Sequence, residues 1–151
     1  MSYLTTPDKT TRFIEYTLSA NQTVSNGDYV KFDTKKTTGG DSVSINSSTG
    51  EIALSSEKSY WLTVNTHFKR YQNNTSFTLA FYDSSNNQIT EENGGYECDY
   101  TIGTTSNRYS ANFTAQLLLE NPTDTYYLTV VRCWPNSEVH TRTTLFICEI
   151  S

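Results

Sequence analysis

Two histidines are the first residues of this sequence that could do chemistry. His67 and His140 lie far apart in the chain, and neither belongs to a metal-binding H-x-x-x-H motif or follows a nucleophile-elbow motif. A Gly-rich phosphate-binding loop is also missing from the sequence. We therefore expect both histidines to lie on a polar face or in a loop, and we expect no catalytic residues, no metal site and no cofactor.

The densest acidic stretch contains Glu91, Glu92, Glu97 and Asp99. Carboxylate oxygens can hold Ca²⁺, and two carboxylates that converge in a cleft can hydrolyse a glycosidic bond. The stretch lacks the Asp-x-Asp-x-Asp-Gly spacing of a calcium loop, and most other acidic residues fall in turns, where they accept backbone hydrogen bonds. An enzyme is therefore not predicted, while calcium binding by the loop at 91–99 stays open.

The three cysteines are Cys98, Cys133 and Cys148, an odd number with no spacing typical of a metal site. This pattern favours free thiols in a reducing compartment. The alternative is a disulfide between Cys133 and Cys148, since the two could lie on neighbouring strands.

Length and charge exclude several classes of protein. A chain of 151 residues is one domain, and its net charge of −5 would repel a nucleic-acid backbone because the 11 Lys and Arg residues are dispersed. The first residues lack the basic and apolar regions of a signal peptide, and no apolar run reaches the length of a membrane span. We expect no nucleic-acid partner and no insertion into a membrane.

The elements that must position these residues are short β-strands. Abundant Thr, Ser, Asn and aromatic residues, with short alternating runs between polar turns, are typical of a β-sandwich or barrel. Residues 60–68 alternate clearly, with Trp61 and Thr63 on one face and Leu62 and Val64 on the other. The other predicted strands are 12–19, 28–34, 42–46, 51–55, 76–83, 111–120, 125–134 and 143–150, and turns are predicted at Asn26-Gly27 and Thr49-Gly50.

The last two strands do not alternate. The runs YYLTVV at 126–131 and LFICEI at 145–150 are nearly continuous in apolar residues, which is typical of strands that are buried on both faces. A single sandwich has only one interior. The second buried face therefore predicts a partner, and the simplest partner is another copy of the chain.

The order of these elements resembles the C1q/tumour-necrosis-factor jelly roll, particularly its bacteriophage virion versions. The segments that carry the resemblance are DYVKFDT, INSSTGEIALSSEKSYWLTVNTHF, SFTLAFYD, FTAQLLLENPTDTYYLTV and LFICEI. The family usually has Gly before the Tyr that corresponds to Tyr60, and here Lys58 or Ser59 takes that place. Collagen-like repeats, which precede the domain in the complement branch, are absent from the sequence, and this favours the viral branch.

The resemblance implies a jelly-roll sandwich of about eight to ten antiparallel strands over residues 12–151, preceded by an arm at 1–11. It implies a homotrimeric virion protein, made in the host cytoplasm and placed on the virion surface as a capsid decoration, cement or head-fibre module. Its partners would be itself and a major capsid or tail protein. The residues expected to face the trimer axis are Thr63, Asn65, His67, Tyr127, Val131, Phe146 and Cys148.

Two further expectations concern attachment. Tyr3 and Leu4 are large apolar residues in an otherwise polar arm, and we expect them to attach the protein to the particle. The alternative function is a tail-tip module that binds a host-surface glycan or receptor through aromatic residues in and beside the long loops. Those residues are Tyr96, Tyr100, Tyr109 and Trp134.

Overall fold

A computed structural model of the chain describes residues 13–37, 40–70, 77–90, 93–95, 109–133 and 136–150. These residues form twelve β-strands, two more than the upper end of the predicted range. The strands are β1 (Phe13–Thr17), β2 (Gln22–Val24), β3 (Thr34–Lys35), β4 (Val43–Ile45), β5 (Ile52–Leu54), β6 (Tyr60–Arg70), β7 (Phe77–Asp83), β8 (Asn93–Gly95), β9 (Tyr109–Leu119), β10 (Thr125–Arg132), β11 (Ser137–Val139) and β12 (Thr144–Glu149).

The strands form two antiparallel sheets. The large sheet has the order β2-β11-β6-β12-β1-β3, with β9 on the other side of the long strand β6, and the small sheet has the order β4-β5-β10-β7-β8. β12 lies between β6 and β1, so the C-terminal strand is central in its sheet. The predicted all-β jelly roll is therefore confirmed.

The core lies between the two sheets and follows the alternation of the sequence. In β6 the side chains of Leu62, Val64, Thr66 and Phe68 are buried, as the alternation predicts. The small sheet supplies the opposite side of the core through residues such as Phe81, which is completely buried.

The second face of β12, which the sequence pattern assigns to a partner, is not covered within one chain. In β12, Leu145 and Ile147 are completely buried, whereas Phe146 is half-buried and Cys148 is exposed. Ile150, which follows β12, is 47% exposed. The chain thus leaves the outward side of β12 open, because its two sheets enclose only one interior.

Three short strands, β2, β8 and β11, were not predicted individually, because their segments QTV, NGG and SEV each contain at most one apolar residue. The predicted strand at 28–34 is reduced to a single bridge between Tyr29 and Thr129 and to the start of β3. Asn26-Gly27 forms a turn but no hairpin, since β2 pairs with β11. Gly50 adopts φ +83°, as predicted, and a Cβ there would lie 2.9 Å from the carbonyl oxygen of Val30.

Cys133 and Cys148 are both free thiols, so the alternative of a disulfide between them is wrong. Cys133 packs against the core after β10 in the small sheet, whereas Cys148 belongs to the large sheet. Among the described residues, the structure contains no helix long and apolar enough to cross a membrane. The same residues contain no group of His, Cys, Asp and Glu side chains arranged to hold a metal ion.

Candidate functional site on the outer face of the large sheet

Four exposed or apolar side chains lie in register across four neighbouring strands of the large sheet. Phe13 of β1 pairs with Cys148 of β12, Cys148 pairs with Trp61 of β6, and Trp61 pairs with Leu118 of β9. Phe13 is 45% exposed, Trp61 42% and Leu118 51%. We call Phe13, Cys148, Trp61 and Leu118 the apolar row.

Two further aromatic and aliphatic side chains extend the apolar row. The ring of Phe146 stacks on the ring of Phe13 with centroids 5.1 Å apart, and Ile150 lies two residues beyond Cys148. The indole Nε1 of Trp61 donates a hydrogen bond to Thr63 Oγ1 at 3.0 Å, which fixes the ring over the sheet. One end of this outer face is therefore a continuous apolar surface.

The other end of the same face is polar. Asn65 of β6 pairs with Thr114 of β9, and the hydroxyl of Thr114 donates to Asn65 Oδ1 at 2.9 Å. His67 follows on the same face, and its backbone N–H donates to Thr143 Oγ1 at 3.0 Å. The outer face thus grades from apolar at the end of β12 to polar at its start.

The structure brings together five of the seven residues expected at the trimer axis. Thr63, Asn65, His67, Phe146 and Cys148 share the outer face of the large sheet, because they alternate with buried neighbours on β6 and β12. The other two, Tyr127 and Val131, lie on the outer face of the small sheet. The seven residues therefore do not share one face within a protomer.

Sequence reasoning missed Phe13, Trp61 and Leu118 as members of this surface. The alternation of β6 placed Trp61 on the correct face, and this was the available signal. Phe13 and Leu118 enter the row only through the pairing of β1 and β9 with their neighbours, and the sequence does not state that register.

Other expected site residues lie elsewhere. His140 is in a loop, as expected, and its Nδ1 accepts a hydrogen bond from the backbone N–H of Arg142 at 3.1 Å, so it stabilises a turn. The side chains of several other candidates lie outside the described residues. These are the arm residues Tyr3 and Leu4, the acidic residues Glu91, Glu92, Glu97 and Asp99, and the aromatic residues Tyr96, Tyr100, Tyr109 and Trp134.

The two described cysteines differ in environment. Burial raises the pKa of the Cys133 thiol to about 11, with a smaller contribution from the negative charge of Asp28. Cys148 is exposed in the middle of the apolar row. Of these two thiols, Cys148 is therefore the one more open to solvent and to a partner surface.

Comparisons with known proteins support the fold. No protein-family profile matches the sequence, and no curated protein matches it either. The solved structure of the Eiger TNF from S. frugiperda is similar, with a TM-score of 0.59 and 12% sequence identity over 92% of each chain. At this identity the similarity shows a jelly roll of the tumour-necrosis-factor type and does not extend to function.

Proposed function

We propose that the chain is a non-enzymatic structural module that assembles into a homotrimer through the outer face of its large sheet. The observation that carries the proposal is the register of the apolar row, in which Phe13, Trp61 and Leu118 are each more than 40% exposed. Contiguous exposed apolar surface is uncommon on monomeric proteins and typically marks an interaction site.

Self-association explains why β12 is apolar at both its buried and its outward positions. The apolar run of β12 places Leu145 and Ile147 in the core, and it leaves Phe146 and Cys148 on the open face. A second copy over this face would bury the remaining apolar side chains of the run. The number of three copies rests on the resemblance to the C1q/tumour-necrosis-factor jelly roll.

We further propose that the trimer sits on the surface of a virus particle as a capsid decoration, cement or head-fibre module. This step is supported by the resemblance of the segments around Tyr60 to bacteriophage virion proteins and by the composition of the arm at 1–11. Tyr3 and Leu4 would attach the trimer to a major capsid or tail protein. Three arms on one trimer would bind more tightly than one arm, because the first bound arm raises the effective concentration of the other two. A tail-tip module that binds a host-surface receptor or glycan is the second candidate.

Light scattering after size exclusion at micromolar concentration tests the trimer. The wild-type chain should have a mass near three times 17.1 kDa, about 51 kDa. Trp61→Glu places a charge in the centre of the apolar row and should yield a folded 17.1 kDa monomer. The matched control is Ile89→Glu, since Ile89 is 37% exposed but lies outside the large sheet, and this variant should remain trimeric.

Virion attachment needs a separate experiment. Deleting residues 2–10 should leave the trimer and its melting temperature unchanged, while occupancy on purified particles, counted by cryo-microscopy, falls steeply. A wild-type monomer would refute the trimer. Unchanged occupancy of the deletion variant would remove the arm as the attachment site and favour the receptor-binding candidate.

A further inference from the structure

Three tyrosines form a second row on the outer face of the small sheet. Tyr127 of β10 lies directly opposite Tyr82 of β7, and Tyr29 reaches the same face through its bridge to Thr129. The rings of Tyr29 and Tyr127 stack with centroids 4.2 Å apart. We call Tyr29, Tyr127 and Tyr82 the tyrosine row, and all three side chains are half-buried.

Hydrogen bonds fix the rings and place acceptors beside them. The hydroxyl of Tyr127 donates to Glu51 Oε2 at 2.9 Å, and the hydroxyl of Tyr82 donates to Gln88 Oε1 at 2.9 Å. The side-chain amide of Gln88 in turn donates to the carbonyl oxygen of Thr90 at 2.8 Å. The row is thus organised before any ligand arrives, and this lowers the entropic cost of binding.

A buried hydroxyl without a partner lies beside the tyrosine row. Thr129 alternates with the core residues Leu128 and Val130, so its side chain points to the same outer face as Tyr127. It is 5% exposed, and its Oγ1 makes no hydrogen bond. Ala80, which lies opposite Thr129, is completely buried, so surrounding side chains cover both positions. The hydroxyl is therefore closed to solvent and lies beneath the row, and its burial without a partner is costly.

We propose that the tyrosine row is a binding platform for a neutral oligosaccharide. The C–H face of a sugar ring stacks on an aromatic ring, and its hydroxyls both donate and accept hydrogen bonds. Donors from the sugar would meet the free lone pairs of Glu51 and Gln88. The Glu51 carboxylate and the net charge of −5 disfavour anionic sugars.

A proline-rich peptide suits the site less well, although such peptides also pack on tyrosines. Proline has no backbone N–H, so these peptides present mainly carbonyl acceptors. The groups beside the tyrosine row, Glu51 Oε2 and Gln88 Oε1, are acceptors themselves. Two acceptors do not pair, whereas sugar hydroxyls supply the missing protons.

The platform lies within one protomer and on the sheet opposite the apolar row. Its existence therefore does not depend on the trimer, and its ligand need not be the partner that holds the protein on a particle. It also differs from the loop aromatics that the sequence suggested for glycan binding.

The test uses the wild-type chain on an array of neutral oligosaccharides built from glucose, galactose, mannose and N-acetylglucosamine, with sialylated counterparts and a proline-rich decapeptide. We expect a neutral oligosaccharide to bind in preference to its sialylated form. In a titration followed by NMR, the tyrosine ring signals of the wild-type chain should shift with the best sugar. Tyr82→Ala should weaken binding about tenfold, the size expected for one aromatic contact.

Two variants separate binding from folding. Thr129→Val removes the unpartnered buried hydroxyl while preserving shape, so it should keep or raise the melting temperature and leave sugar binding unchanged. Glu51→Gln should weaken sugar binding, whereas the control Glu57→Gln, at an exposed turn position, should leave sugar binding unchanged. Three results would overturn the proposal: no neutral sugar binds, the peptide or the sialylated forms bind preferentially, or binding leaves the tyrosine signals unchanged. Because the NMR readout uses the wild-type chain, it remains decisive if Tyr82→Ala does not fold.

Discussion

Lys58 Nζ lies 2.9 Å from Glu149 Oε2, although the two residues are 91 positions apart in the chain. The side chain of Glu149 is 6% exposed and that of Lys58 is 39% exposed. The hydroxyl of Ser42, just before β4, donates to the other carboxylate oxygen of Glu149. One carboxylate on the last strand of the large sheet therefore connects to both the small sheet and the turn before β6.

The two members of this ion pair should respond unequally to substitution. Lys58→Met leaves the buried Glu149 carboxylate without its cation, and we expect it to lower the free energy of unfolding by about 2 kcal/mol. Glu149→Gln keeps a hydrogen-bonding group for Ser42 and leaves Lys58 able to reach water, so about 1 kcal/mol is expected. Urea unfolding of the wild type, the two single variants and the double variant gives the coupling free energy between Lys58 and Glu149. Additive losses would show that the pair contributes no coupling free energy, and equal losses in the two single variants would contradict the expected unequal response.

The same substitution should have opposite effects at Thr66, in β6, and at Thr143, just before β12. The hydroxyl of Thr66 is completely buried and makes no hydrogen bond. The hydroxyl of Thr143 is also buried, but it accepts from the His67 backbone N–H and donates to the His67 carbonyl, both at 3.0 Å. Thr66→Val should raise the free energy of unfolding by about 1 kcal/mol, and Thr143→Val should lower it by about 1 to 3 kcal/mol. Chemical denaturation measures both, and matching signs would contradict the assignment.

The fold was predictable because it rests on local alternation. The period of two in β6 placed Leu62 and Val64 on one face and Trp61 on the other, and in the structure the first face is buried and Trp61 is exposed. The apolar row was not predictable, because it depends on which strands pair and in which register. Phe13 and Leu118 lie more than 40 residues from Trp61 along the chain, and no local pattern connects them.

The same limit applies to β12. Its sequence is apolar at nearly every position, so a pattern alone does not separate Leu145 and Ile147, which are buried, from Cys148, which is exposed. Glu149 is the reverse case, since a charged residue near a chain end is usually exposed but here it is buried beside Lys58.

Deleting residues 144–151 should abolish folding. β12 pairs with β6 over six residues and with β1 over five, so its loss exposes two strand edges in the centre of the large sheet. It also removes Leu145 and Ile147 from completely buried sites, at about 1.5 to 3 kcal/mol each. We expect insoluble product. Deletion of residues 150–151 is the control and should stay soluble, and a soluble, cooperatively unfolding 144–151 deletion would contradict the central place of β12.

Acid should weaken two turns. The pKa of Asp33 lies below its ordinary value of 3.8, mainly because the Ser19 hydroxyl donates to the carboxylate. The pKa of Asp83 is also lowered, mainly by the backbone N–H of Asn87 at 2.9 Å. Because the folded pKa values are depressed, these groups stabilise the fold above pH 3.8, and this stability is lost as the pH falls through the folded pKa values.

Urea unfolding from pH 7 down to pH 2 measures that loss. The variant Asp33→Asn/Asp83→Asn should be less stable than wild type at pH 7, and the difference should shrink in the acid range because both chains then lack the two charges. A difference that stays constant with pH would show that the carboxylates do not contribute through their ionisation.

The two described cysteines should report on the apolar row. The thiolate is the reactive form, and a pKa of about 11 leaves only on the order of one Cys133 thiol in a thousand ionised at pH 8. Cys148 is exposed in one chain but lies between Phe13 and Trp61, so a copy packed on this face would cover it. With iodoacetamide at pH 8, followed by peptide mass spectrometry, Cys133 should react slowly in both wild type and Trp61→Glu. Cys148 should be protected in wild type and react readily in Trp61→Glu, since that variant separates the copies. If Cys148 reacts equally fast in both while the wild type remains oligomeric, the contact between copies must lie on another face, because a thiol in the middle of the buried row could not stay open to the reagent.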